Sequence, residues 1–223
     1  MLKSKNQHNK EGGMKKFLFI ISLTIFVSGL YAQEFKFMGG VSSSKYKTGD
    51  FTLSLFSTDS YYSWDYKSGI LIGAGFEYPL IKKTAIEIDV FYFQKGGRIE
   101  MPDAPNYERK YFLDVISLPI LIKVEPLDFM PIYILGGGEF SFILSHKCEI
   151  IFEDNIIKDH ITWKTNKIYT GFVFGGGFEI KLVNFLVFVE GRYYLGLGDI
   201  EKEPRNWEFI KANSAILIVG IKI

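Results

Sequence analysis

The chain has 223 residues, 48% hydrophobic and 17% aromatic, with 22 glycines, 7 prolines and a formal net charge of +1. This is enough for one domain with a sizeable core, and too apolar for a disordered segment. The near balance of charge excludes the basic surface that holds nucleic acid, and a lone cysteine, Cys148, excludes an intramolecular disulfide.

Residues 14–33 have the layout of a secretory signal peptide. Met14-Lys15-Lys16 is a short basic start, Phe17 to Leu30 is an apolar run, and Ala32 is a small residue at the expected cut. The run is short for a spanning helix, which needs about 20 apolar residues. Residues 1–32 are therefore expected to be an N-terminal extension and cleaved signal, and 33–223 the mature domain. Met14 offers an alternative start. The removed segment holds five lysines and one glutamate, so the mature chain is three charges acidic.

Eight segments of alternating character follow, at roughly 35–43, 67–78, 84–95, 111–124, 131–144, 169–182, 186–197 and 213–223. Their lengths match tilted transmembrane strands of about 9–11 residues. In the third, Ile86, Ile88, Val90 and Tyr92 oppose Glu87, Asp89 and Phe91. In the sixth, Phe172, Phe174, Phe178 and Ile180 oppose glycines, Glu179 and Lys181. Alternation alone fits a soluble barrel with the charged face outside or a membrane barrel with that face inside. The connections separate the two. Short gaps (79–83, 125–130, 183–185) alternate with long ones (44–66, 96–110, 145–168, 198–212), as periplasmic turns alternate with external loops in outer-membrane barrels. The expected fold is all-β, an eight-stranded antiparallel up-and-down transmembrane barrel in the outer membrane of a Gram-negative cell.

Three strands carry a resemblance. Val115-Ile116-Ser117-Leu118-Pro119-Ile120-Leu121-Ile122-Lys123, the stretch Tyr133 to Gly138, and Glu190-Gly191-Arg192-Tyr193-Tyr194-Leu195-Gly196-Leu197 resemble strands of the PorT-type outer-membrane β-barrel family of the Bacteroidota. The resemblance implies a small barrel and leaves room for a role in secretion.

Parity places a set of charges in the lumen: Lys36, Glu77, Glu87, Asp89, Glu139, Glu179, Lys181, Glu190 and Arg192. An interior salt-bridge network is the expected role, with Arg192 pairing Glu179 or Glu190 through its fork of donors. Pro119 points to a local bulge in the fourth strand and leaves open whether Lys123 joins them. The third long loop holds Ser145, His146, Cys148, Glu149, Asp159 and His160. These are the residue types of a hydrolase or a metal site, but neighbours on a strand face opposite ways, so Ser145 and His146 do not pair if the strand extends that far. In the first loop, Tyr61, Tyr62, Trp64 and Tyr66 suit either a recognition surface or an interfacial girdle; Trp163 and Trp207 suit the girdle.

The expectation is a monomeric, non-enzymatic barrel without cofactor. It contacts outer-membrane lipid and, through external loops, a protein or surface-polymer partner. A lipid-modifying hydrolase and a passive small-solute channel are the alternatives.

Overall fold

The computed structural model describes residues 34–48, 63–101, 104–127, 129–152, 155–202 and 210–223. The expected signal, residues Tyr61 and Tyr62, and Trp207 lie outside them. Ten strands form: β1 (Glu34–Thr48), β2 (Ser63–Asp65), β3 (Lys67–Ile81), β4 (Thr84–Met101), β5 (Ala104–Val124), β6 (Ile132–Phe152), β7 (Asn155–His160), β8 (Ile168–Lys181), β9 (Leu186–Gly196) and β10 (Ile210–Lys222). All ten belong to one antiparallel sheet: eight of them close into a ring, with β1 paired to β3 on one side and β10 on the other, while β2 adds to β4 and β7 to β6. The seam is tied to its end by reciprocal backbone bonds between Phe35 and Ile223, at 3.1 and 2.9 Å. Closure pairs the backbone groups that lipid cannot solvate.

The distribution of side chains is the reverse of a soluble protein. Phe37 and Val41 on β1, Phe172 and Phe174 on β8, and Leu217 and Val219 on β10 are exposed. Their neighbours Lys36, Met38, Val173, Ile216 and Ile218 are buried. An apolar outer wall is what lipid requires, so the alternation belongs to a membrane barrel. The start of β1, the end of β10 and the short connections after β3, β5 and β8 lie at one end, the periplasmic one.

β1, β4, β5, β6 and β10 outrun their expected bounds at the other end, while β3 runs three residues further than expected at the periplasmic end. Residues 96–101 and 104–110 are a paired continuation of β4 and β5, with Arg98 opposite Lys110 and Glu100 opposite Glu108. Residues 145–152 extend β6, and β7 folds back on it. Above the lipid neither face needs to be apolar, so the period that marks a membrane strand disappears while the ladder continues. Charge pairs support this part: Arg98 reaches Asp65 at 2.5 Å and Glu108 at 3.5 Å, and Lys110 reaches Glu108 at 2.9 Å. The Arg98 guanidinium, bonded to the half-buried Asp65, holds that carboxyl below its usual range. The bulge expected at Pro119 lies instead between Asp114 and Val115, opposite the step from Ser145 to Ile143. Pro119 keeps its place opposite Glu139, so the parity from there to Lys123 is regular.

Candidate functional site

Two features are built on this frame: a filled lumen and an open cup above it. The lumen is ordered in three tiers. Nearest the periplasm, Glu77 and Glu179 face Lys123 and Lys222. Lys222 lies 2.5 Å from Glu77 and Lys123 lies 3.1 Å from it, and both lysines also bond Glu179. Two acids and two bases thus share four contacts.

The middle tier centres on Arg192. Its guanidinium donates to Glu87 at 2.5 Å, Asp89 at 2.7 Å and Glu190 at 2.6 Å. Lys36 adds contacts of 2.7 Å to Glu87 and 3.3 Å to Glu190, and the Tyr133 hydroxyl donates to Glu190 at 2.6 Å. All five charged side chains of this tier are fully buried. Burial of charge on this scale is tolerable only because each group meets an opposite one.

In the third tier Glu139 accepts from Lys95 at 2.8 Å and from Ser117 and Ser141 at 2.6 Å each. The Lys95 ammonium sits 4.6–5.0 Å from the ring centres of Phe93, Tyr169 and Tyr194, within the range of a cation–π contact. Phe91, Phe188 and Tyr194 fill the space between tiers with no exposed surface.

Of the expected set, Lys36, Glu77, Glu87, Asp89, Glu139, Glu179, Glu190 and Arg192 lie in these tiers. Lys181 does not: β8 carries it past the periplasmic tier, and it is exposed. Arg192 takes Glu190 but not Glu179, which sits a tier lower among lysines. The expected set left out Lys95, Tyr133 and Lys222, although alternation put Lys222 on the charged face of the last strand, and it left Lys123 undecided. Parity alone locates Lys95 and Lys222, two residues on from Phe93 and Gly220.

Above the third tier Tyr46, Trp64 and Tyr111 meet at centroid distances of 5.1–5.8 Å and cap the lumen. Trp64 is thus part of this cap rather than a girdle or a free loop. His146 packs beside it, with Nε2 3.1 Å from the Tyr46 hydroxyl and Nδ1 2.9 Å from the Thr165 hydroxyl. Both ring nitrogens are therefore engaged by groups other than a serine or a carboxylate. Cys148 faces the same side as His146, while Glu149 lies on the other face and pairs Lys158 at 3.0 Å. The His146–Cys148–Glu149 metal set is not assembled, and no group of three ligands close enough to hold a metal occurs among the described residues.

On the cap opens a cup of about 740 Å³. Its walls are the inner faces of the β5, β6 and β7 extensions (Arg109, Tyr111, Cys148, Asp159) and the segments carrying Trp163–Thr165 and Glu201–Lys202. Trp163 is 69% exposed, with the Lys164 ammonium 4.6 Å from its ring and Lys202 bonded to its carbonyl at 3.0 Å. Trp163 thus serves the cup rather than a membrane girdle.

A closed eight-stranded sheet with an apolar outside and a charged, filled inside defines a small integral outer-membrane barrel. The chain belongs to the outer membrane protein beta-barrel domain family, whose model matches residues 31–202. No curated protein matches the chain. Among solved structures it is similar to the outer membrane protein OprG from Pseudomonas aeruginosa (14% identity, 86% of this chain and 96% of that one, TM-score 0.48). It is also similar to Neisserial surface protein A (14%, 85% and 96%, 0.39) and to Ail, the attachment invasion locus protein of Yersinia pestis (13%, 85% and 98%, 0.38).

Proposed function

We propose that the protein is a non-conducting, non-enzymatic outer-membrane barrel that presents a binding cup to the exterior. The observation that carries this reading is the sealed lumen directly beneath an open cup. Buried Phe91, Phe188, Tyr194 and Arg192 crowd the lumen, which supports a barrel without a solute path, whereas the cup has the volume of a ligand site. The charged tiers then serve closure and rigidity. The partner is a protein or surface polymer that lays aromatic and polar groups against Trp163, Arg109 and Lys202. A PorT-like place in a secretion assembly is the specific form of this idea, supported by the resemblance of strands 115–123, 133–138 and 190–197. The hydrolase reading has no support at His146, which is bonded to Tyr46 and Thr165.

A photo-crosslinking residue placed at Trp163 in living cells tests the cup. The same label at Phe129, 74% exposed in a periplasmic turn, is the control. The expected result is a discrete adduct from position 163 and none from 129. Adducts from 129 alone, or from neither, would contradict an outward-facing binding role.

A further inference from the structure

The hairpin beside the cup ends its sheet in an open edge. β7 pairs β6 along one side only, from Lys147 opposite His160 to Phe152 opposite Asn155. Every residue of β7 is exposed. Just past it, the Ile161 N–H donates to the His146 carbonyl at 3.0 Å. In an antiparallel ladder the directly bonded pairs recur every second residue. Asn155, Ile157 and Asp159 therefore turn their backbone groups toward β6, and Ile156, Lys158 and His160 turn theirs outward. None of these three meets a backbone partner among the described residues.

Edge strands are normally protected by a proline, a bulge or a free charge. β7 contains no proline, and its register with β6 runs without a shift. Its lysine, Lys158, is drawn back onto Glu149 of β6 at 3.0 Å. The strand is also apolar on both faces, because residues opposite each other across the ladder share a face. Ile156 is 59% exposed on the outer face, and Ile157 is 61% exposed on the face that continues the cup through Ile150. Asp159 lies on that cup-side face and makes no ion pair among the described residues.

We propose that the outer edge of β7 takes an extended segment of a partner protein as a further strand. Apolar side chains of that segment cover Ile156 and Ile157, and a basic one meets Asp159. An open ladder asks for a backbone, isoleucines exposed on both faces ask for an apolar strand, and the unpaired carboxylate sets its charge. A second copy paired symmetrically in the same membrane does not fit. The two-fold axis of an antiparallel pair stands perpendicular to the sheet, so on a wall that stands upright in the membrane it would invert the second barrel. The proposal rests on the outward orientation of this end and is independent of any ligand in the cup.

The test uses the full chain folded in phosphatidylcholine nanodiscs, with empty discs as the blank and the gel shift on boiling as the check of closure. The probe is a fluorescent eight-residue synthetic peptide of alternating isoleucine and threonine with arginine at one central position. Fluorescence anisotropy is expected to show binding to the wild type. The same peptide N-methylated at every backbone amide does not bind, although its side chains are unchanged. Lys158→Pro weakens binding at least about tenfold, because the ring removes an outward donor and blocks the incoming strand while no bond to β6 is lost. Lys158→Ala keeps the edge and keeps binding. Asp159→Asn weakens binding of the arginine peptide and leaves that of its glutamine counterpart unchanged. Trp163→Ala, which alters the cup alone, changes nothing. No binding by the wild type, equal binding by Lys158→Pro, binding of the N-methylated peptide, or loss of binding in Trp163→Ala would overturn the proposal.

Discussion

Replacing Arg192 with leucine is expected to be the most damaging single change in the barrel. The guanidinium touches Glu87, Asp89 and Glu190 at once, in a tier with no exposed surface. With it gone, Lys36 alone faces three buried carboxylates. Breaking one buried ion pair by removing a partner costs about 3–5 kcal/mol, and here three acids lose the same partner. Folded outer-membrane barrels migrate differently on gels before and after boiling, and the fraction of shifted band against urea concentration reads stability. The expected result is a fall of at least about 3 kcal/mol, or failure to fold. Arg192→Lys should fall between, because an ammonium keeps the charge but loses the fork that reaches three acids. An Arg192→Leu variant with wild-type stability would mean that the tier does not hold the strands together.

The second large effect is steric and distinguishes two adjacent glycines. A Cβ built on Gly137 lies 2.0 Å from the Ile120 carbonyl oxygen and 2.9 Å from the Leu121 Cα, both backbone atoms of the neighbouring strand. Neither can move without breaking the β5–β6 ladder. A Cβ on Gly138 meets nothing within 4 Å. Gly137→Ala is therefore expected to cost about 1–3 kcal/mol through overpacking, while Gly138→Ala leaves the urea midpoint unchanged. Equal effects at the two positions would show that Gly137 is kept for some reason other than close approach.

The membrane-embedded fold was legible because lipid imposes a rule on every outward residue. Phe172, Phe174 and Phe178 alternate with glycines and Glu179, and no soluble environment would leave such phenylalanines exposed. Legibility stopped where the lipid stops. Gly96, Gly97, Pro102 and Pro105 suggest a loop, yet residues 98–100 and 108–110 pair strand to strand in the backbone ladder. The cup escaped notice for the same reason, because its walls are these extensions. Parity placed Glu87, Asp89, Glu190 and Arg192 in the lumen, but it says nothing of height around the barrel. Only the register shows that Glu179 belongs with Lys123 and Lys222, and that Lys181 lies beyond the last tier.

The proposed barrel is sealed and acts only at its surfaces. Electrical recording of the full chain reconstituted in a planar lipid bilayer tests this most directly. A sealed lumen predicts no stepwise conductance at any applied voltage when insertion is confirmed by the gel shift on boiling. Discrete, reproducible conductance steps from the folded protein would contradict the account and make the charged tiers the lining of a pore.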